Sequence, residues 1–317
     1  VTVLVTGATG FVGRQVVSQL REAGVEVRMA SRHPERLYTA GDTVRLPDFD
    51  SPAAAFQALM RDITHVVHCA ALNNDRKASD ADFLAANATL TAQLAHAAAL
   101  RTSGRFIYLS SIRAVAGPGF NGTINEATPP APQCAYGRSK REGEIRMLEA
   151  YASRPGDATA LRLPPVYGEG MKGNLATLMR LGGAPMARML PAAAFSGERS
   201  LMSRETAAGT AVYLLSHPQP LRPAYVACDL PPLPVSSIIR AFRDGYGYSL
   251  RLSRVPGGLM RAVLTLIGKA KAWEAMTATQ ICDPSLLISE GWTPRTDTLE
   301  QLTELARRTK SGAAQLR

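Results

Sequence analysis

The sequence predicts an α/β protein: a doubly wound parallel sheet followed by a smaller, mainly C-terminal domain. Three observations carry this reading. Apolar runs suited to buried strands alternate with helix-patterned segments through the first half of the chain. The first run, residues 1–5, breaks into the glycine-rich turn TGATGFVG, which opens a helix. Beyond residue 166 the alternation gives way to irregular stretches rich in Pro and Gly, so 166–199 reads as loops and short helices over the carboxyl edge of the sheet. A chain of 317 residues can bury a large core, and 46% apolar with 20% charged residues is ordinary for a soluble enzyme, which excludes the disordered and fibrous classes.

Taken in order, Val1, Val3, Leu4 and Val5 form a buried strand, and Gly7, Gly10 and Gly13 turn the chain into a helix over 11–22. That helix carries apolar Val12, Val16, Val17 and Leu20 and stops at Gly24. Each glycine has a task. Gly7 permits the tight turn, Gly10 lets a pyrophosphate approach the backbone, and Gly13 lets the helix pack close to the sheet. Free N–H groups and the positive end of the helix dipole then face an anion. The turn residues Gly7, Thr9, Gly10, Phe11, Val12 and Gly13 are therefore the candidate phosphate seat of a dinucleotide.

Residues 25–32 read as the second strand, whose end lies beside the adenosine ribose in such a fold. An acidic residue there would take the ribose hydroxyls. This chain offers Ser31 and Arg32, followed by His33 and Arg36. A carboxylate repels a 2′-phosphate and a guanidinium grips it in two places, so NADP is favoured, with NAD as the alternative. Arg28 is a second candidate for the same task. A short strand, 43–46, leads to Asp48 and Phe49 at the adenine edge, and helix 52–61 follows.

THVVHCAA, 64–71, is a buried strand whose terminal Ala70 and Ala71 let the backbone lie against a flat ligand, with Leu72 next to it on the substrate side. His65 and His68 make an HxxH that a strand sends to opposite faces, so no metal site is expected. A long helix, 81–100, carries Asn87 in its middle, and FIYLSSI, 106–112, is a strand ending in Ser110 and Ser111. After the loop 117–133 come the helix pattern CAYGRSKREGEIRMLEAY and the strand ATALRLPPVYGEG, which runs into turn residues at 164–170.

Later, 203–216 reads as a helix capped by Ser203, 224–229 as a strand, VSSIIRAFRDGYG as a helix and 249–255 as extended. GLMRAVLTLIGKAKAW is a packing helix of the smaller domain or an interfacial one, with Lys269 and Lys271 near its end. A closing helical unit precedes a polar tail, 311–317, expected to fray. The resulting division is a dinucleotide-binding domain over 1–165, to which 200–229 returns, and a substrate-binding cap made of 166–199 and 230–310.

The formal charge of +10 comes from scattered Lys and Arg with no basic run interleaved with aromatics, so a solvated basic surface is expected rather than a nucleic-acid partner. No apolar run is long enough to span a bilayer. Cys69, Cys134, Cys228 and Cys282 make no CxxC pair, and with no signal peptide at the start they predict a reduced, cytoplasmic chain.

Tyr136 and Lys140 lie four apart and share a helix face. A phenol titrates near ~10, and a close ammonium favours phenolate. Such a pair can give a proton to a carbonyl oxygen or take one from an alcohol. With the glycine-rich turn upstream and a serine at an intervening strand end, the chain resembles the extended short-chain dehydrogenase/reductase family, and within it the NAD-dependent epimerase/dehydratase group that acts on nucleotide sugars. The motifs are TGATGFVG at 6–13, HCAA at 68–71, LSSI at 109–112, YGRSK at 136–140 and LRLPPVYGEG at 161–170.

The resemblance implies a Rossmann domain in which Tyr136 is the catalytic acid/base, Lys140 lowers its pKa and holds the nicotinamide ribose, and Ser111 bonds the reacting oxygen. Ser110 is the alternative serine, because AVAG at 114–117 departs from the family's VYG. Asn87 matches the family's helix asparagine, and Leu163 to Val166 the segment shielding the nicotinamide. KGN at 172–174 and ERS at 198–200 imply that Asn174 and Arg199 meet a diphosphate. The implied activity is reduction of a 4-keto UDP-sugar by NADPH, or 4-epimerisation of a UDP-N-acetylhexosamine with bound NAD, or reduction of a non-sugar carbonyl. A small nucleotide-sugar substrate and a homodimer are the implied partners.

Overall fold

The computed structural model describes residues 1–36, 41–73, 78–184, 195–249, 256–266, 268, 273 and 277–315. In chain order the strands are β1 (Thr2–Thr6), β2 (Glu26–Ser31), β3 (Thr43–Arg45), β4 (His65–His68), β5 (Phe106–Ser111), β6 (Gly122–Ile124) and β7 (Ala158–Leu163). They continue as β8 (Val166–Tyr167), β9 (Glu198–Arg199), β10 (Met202–Ser203), β11 (Ala224–Val226), β12 (Leu233–Pro234) and β13 (Gln280–Cys282). The helices are α1 (Gly13–Glu22), α2 (Ala53–Leu59), α3 (Asp80–Leu84), α4 (Leu90–Arg101), α5 (Ala135–Ala150), α6 (Gly173–Gly182), α7 (Arg204–Leu215), α8 (Val235–Gly245) and α9 (Gly257–Leu266). A short helix Ser285–Ser289 and a closing helix Thr298–Gln315 follow.

The main sheet is parallel, in the order β11-β7-β5-β4-β1-β2-β3, as the strand–helix alternation predicts. Alternation along each strand divides its side chains between two layers. Val3 and Val5 face α1 and α7, where Val16, Leu20, Ala207 and Leu214 complete one buried cluster. Leu4 faces the other way, toward Phe56, Leu94, Ala98 and Met147 from α2, α4 and α5. The chain steps from β1 to β2 and β3 on one side and returns to β4 on the other. That reversal leaves a crevice at the carboxyl ends of β1 and β4, where ligands bind in this architecture.

The second lobe has a four-stranded sheet, β12-β9-β13-β6, and a helical core where Leu175, Ile238, Phe242, Leu302 and Ala306 pack together. Its β6 comes from within the 1–165 segment and pairs with β13 at Gly122 to Ile124. Ser203 caps α7 as expected, its side chain accepting from Thr206 N. The helix expected over 81–100 is interrupted by a π-helical turn, Ala85–Thr89. There the Asn87 carbonyl accepts the Thr91 hydroxyl at 2.7 Å and, from β5, the Tyr108 hydroxyl at 2.9 Å, which competes with regular helix bonding. The closing helix continues to Gln315, into the segment read from sequence as a tail. Residues 250–255, Lys269, Lys271 and the side chain of Arg36 lie outside the described residues. Among the described residues no helix is long and apolar enough to cross a membrane.

Candidate active site

The glycine turn at the end of β1 is tied to β4 by close backbone approach. Gly7 has φ of +65°, and a Cβ there would stand 2.6 Å from Ala70 N, so only glycine fits. A Cβ at Gly13 would run into the Gly7 carbonyl oxygen. No side chain caps α1, although the amides of Arg14 and Gln15 already donate to the carbonyls of Gly10 and Val12. These features fit a bound dinucleotide phosphate. The cleft above the turn is walled by Gly7, Thr9 and Gly10 on one side, by Cys69, Ala70 and Ala71 on another, and by Ser31, Arg32, His33 and Leu46 at the far end. Ser31 is buried and accepts His33 N at 3.1 Å, which shapes the exit of β2, and Arg32 is exposed on the wall.

Asp48 and Phe49 are exposed on the loop after β3. The side chains of two turn residues go elsewhere: Phe11 packs on the second lobe, with the Arg204 guanidinium 5.5 Å from its ring, and Val12 packs into the α1 layer. Leu46 and Cys69 are wall residues that the sequence reading passed over. Their signal was position, Leu46 closing the short third strand run and Cys69 preceding the two alanines.

The strand β5 delivers the serine pair, and alternation separates their roles. Ser110 is buried and donates to Glu144 Oε1 at 2.6 Å, where Glu144 is gripped by Arg162 through Nε at 3.0 Å and Nη2 at 2.8 Å. Ser111 is half-buried, accepts Arg113 N at 3.2 Å and lies near enough to the Tyr136 phenol to bear on its ionisation. The serine facing Tyr136 is thus Ser111. Burial pushes the phenol up to about 12, with the Ser111 hydroxyl and the Arg113 charge acting in the opposite sense. Helix α5, which carries Tyr136, starts after Cys134, whose Sγ accepts Gly137 N at 3.4 Å.

The expectation that Lys140 depresses the Tyr136 pKa is not met by this arrangement. The Lys140 Nζ turns beneath β5, donates to the Leu109 carbonyl at 2.6 Å and lies 4.1 Å from the centre of the Tyr108 ring. Burial lowers the ammonium to about 7, against the pull of Glu144 and Cys69. Sharing a helix face sets the two Cα positions, but the acceptor under the strand draws the long side chain away from the phenol. Below it, His68 stacks on Tyr108 with ring centres 5.3 Å apart, held between Thr6 at 2.6 Å and Thr91 at 3.0 Å. Burial, aided by the Lys140 charge, pushes this imidazole down to about 3.

Asn87, which the resemblance makes a cofactor-binding residue, is engaged with the protein's own chain. Fully buried, it accepts Leu72 N at 2.8 Å and donates to Leu72 O and Ser139 Oγ, each at 3.0 Å. Its amide is spent holding the chain after β4. Leu163 is buried at the end of β7 in register with Ser111, and Val166 is half-buried in β8. Asn174 is exposed in the first turn of α6. Arg199, half-buried on β9, donates to the carbonyls of Glu198 at 2.7 Å and of Ala278. Burial and the facing Arg113 lower its pKa. The sequence reading did not single out Arg113, although it lies two residues past Ser111.

A switch-point crevice with a glycine cradle, joined to a Ser–Tyr corner on adjacent elements, defines a dinucleotide-dependent enzyme of the short-chain dehydrogenase/reductase type. The chain belongs to the NAD dependent epimerase/dehydratase family, whose model matches residues 3–189. It is 28% identical to a UDP-glucose 4-epimerase of Vibrio cholerae over 312 residues, 92% of this chain and 90% of that protein. Over 204 residues it is 28% identical to a dTDP-6-deoxy-L-talose 4-dehydrogenase (NAD(P)(+)) of Kitasatospora kifunensis, covering 63% of this chain and 62% of that one. The solved structure of MoeE5 in complex with UDP-glucose and NAD shares the fold with a TM-score of 0.76 at 22% identity, covering 99% of this chain and 100% of that chain.

Proposed function

We propose that the chain is an NADP(H)-dependent oxidoreductase that reduces a 4-keto UDP-sugar. The carrying observation is Arg32, exposed on the cleft wall beside Ser31 and His33 at the strand end where an NAD site would present a carboxylate to the ribose. Guanidinium there suits a 2′-phosphate. Gly7, Thr9, Gly10 and Gly13 would hold the pyrophosphate, Asp48 and Phe49 the adenine, Ala70 and Ala71 the flat body of the cofactor, and Lys140 the nicotinamide ribose. Leu163 and Val166 would shield the nicotinamide. When bound, the cofactor supplies a hydride to C4 of the sugar.

The protein's own residues handle the proton. With its phenol protonated at neutral pH, Tyr136 serves as the acid that delivers a proton to the oxygen on the reacting carbon. Ser111, beside that phenol, stabilises the same oxygen as charge develops. Leu72, Asn174 and Arg199 are the proposed substrate contacts, with Asn174 and Arg199 on the diphosphate. The UDP-sugar class is supported by the epimerase relative that spans 92% of the chain and by the ligand of the MoeE5 structure. Net reduction is supported by the 4-dehydrogenase relative and by Arg32, since a reductase gains from the reducing NADPH pool whereas an epimerase regenerates its cofactor every turnover.

The second reading is a UDP-sugar 4-epimerase with bound NAD, favoured by the length of the match to the Vibrio cholerae protein. Titration of NADPH and NADH, each with and without UDP-glucose, separates the two. The reductase reading expects NADPH to bind at least about tenfold tighter than NADH, a phosphate clamp contributing on the order of 1.5–3 kcal/mol. NAD carried through purification, with epimerisation and no added reductant, would leave the epimerase.

A further inference from the structure

Arg113 has no task in the reading above. It sits in the 3-10 turn Ile112–Ala114 directly after the catalytic strand. Its amide donates to Ser111 Oγ, and its carbonyl is packed so closely against α5 that a Cβ on Gly137 would collide with it. The backbone is therefore wedged between the serine and the helix that carries Tyr136. The half-buried guanidinium donates through Nη1 to Ala116 O at 3.3 Å. Among the described residues no carboxylate pairs with it; the titratable groups facing it are Cys134, Cys282 and Tyr136. Burial holds the phenol of Tyr136 neutral at pH 7, and the Cys282 thiol is raised by its bond with Cys228 and by burial.

The second lobe brings a further cation to the same corner. Arg199 on β9 is set by the pairing of β9 with β13, where Gln280 lies opposite it, and Gln280 Nε2 donates to Gly117 O at 3.0 Å. That bond ties the second sheet to the loop following Arg113. Arg113 thus stands beside Ser111, near enough to Tyr136 and to Arg199 of the other lobe to bear on the ionisation of both. Like charges brought together in a half-buried cleft repel, and an anion between them removes that repulsion.

We propose that Arg113, facing Arg199, forms a subsite for an oxyanion of the substrate beside the carbon that reacts at Tyr136 and Ser111. The inference rests on the nucleotide-sugar reading. Planar guanidinium binds either of two oxyanions such a substrate can offer, a carboxylate on the sugar carbon next to the reacting one or the sugar-proximal phosphate.

Calorimetric titration of UDP, UDP-glucose and UDP-glucuronate into the wild-type chain, Arg113→Gln and Arg113→Lys tests this. Arg113→Gln is expected to weaken at least one of them by about ten- to hundredfold, the usual size of a lost charge-assisted pair, with NADPH binding at the far end of the cleft unchanged. Arg113→Lys should recover part of the loss. A loss confined to UDP-glucuronate assigns the subsite to a sugar carboxylate, and a loss shared by all three assigns it to phosphate. Changes below twofold for all three with NADPH binding intact, or no recovery by lysine, overturn the proposal.

If the wild-type chain binds none of the three, the nucleotide-sugar reading fails by itself. Inorganic pyrophosphate and malonate then probe the subsite alone: stabilisation of the wild type against heat that Arg113→Gln loses supports it, and none overturns it. Should Arg113→Gln not fold, phenylglyoxal labelling of the wild type read by mass spectrometry replaces it. At least threefold protection of Arg113 by whichever of these compounds binds is expected, and equal labelling with and without it overturns the subsite.

Discussion

Replacing Glu144 by Gln tests what holds the catalytic strand end. The carboxylate is 1% exposed and accepts from Ser110, from Arg162 twice and from Arg141 at 2.9 Å, while the Arg162 side chain is only 5% exposed. The amide keeps the shape but removes the charge, so Arg162 is left buried without its counter-ion. Breaking a buried pair from one side costs about 3–5 kcal/mol, because the remaining charge stays desolvated. For a chain of this length that corresponds to a fall in melting temperature of roughly 5–10 °C. Thermal unfolding followed by circular dichroism, with bound NADPH absent from all samples, reads it directly. The double change Glu144→Leu with Arg162→Leu should recover most of the loss, since no charge is then stranded. A Gln variant that melts within about 1 °C of the wild type would refute the reasoning, as would a double variant no more stable than the single one.

Tyr136→Phe should lower turnover by at least about a thousandfold, the scale of losing a positioned proton donor, and leave NADPH affinity within twofold in a fluorescence titration. Loss of cofactor binding as well would make the tyrosine structural. Arg32→Asp should weaken NADPH by tenfold or more and leave NADH nearly unchanged; equal weakening contradicts the phosphate clamp. His68 is kept neutral by burial, with its pKa near 3 in the folded chain against an ordinary 6.5, so the unfolded chain takes up the proton first as pH falls. Its contribution is fully present above pH 6.5 and is lost from there down to about 3, by as much as ~4–5 kcal/mol over that window. His68→Gln should flatten the pH dependence of the melting temperature between pH 6.5 and 4, and an unchanged slope would exclude the effect. Asn87→Ala should raise the KM of the substrate through release of the chain at Leu72, with far less change for the pyrophosphate end; an unaltered KM would deny it a positioning role.

Much of the fold was legible because it rests on short-range patterns. The apolar residues 3–5, 66–67 and 106–109 alternate between layers strand by strand, and the helices between them expose one face and bury the other, so a parallel two-layered arrangement follows from local chemistry. The glycine cradle was legible for a related reason. Gly7 is demanded by its own backbone angle and by the approach of Ala70, and a positive φ leaves a mark in residue type. The Tyr136–Lys140 spacing and the serine pair could be read in the same way as residue types at fixed offsets.

What tertiary structure decided was where long side chains end and which lobes meet. The direction of Lys140, beneath β5 toward Leu109 instead of toward the phenol, depends on an acceptor 31 residues away. The choice of Ser111 over Ser110 depends on the buried Glu144–Arg162 pair that claims Ser110. Asn87 could be picked out on its helix, but its partners Leu72 and Ser139 come from two other segments, and the π-helical turn around it answers to Tyr108. Arg113 and Arg199 are 86 positions apart, and it is the pairing of Arg199 with Gln280, which in turn donates to Gly117 O, that ties their two segments together. Sequence by itself determined the elements and the residue types that chemistry requires, because backbone preference and burial period act over a few residues. The electrostatics of the site belong to the folded chain, since charge and hydrogen bonding act through space between segments whose separation along the chain carries no such information.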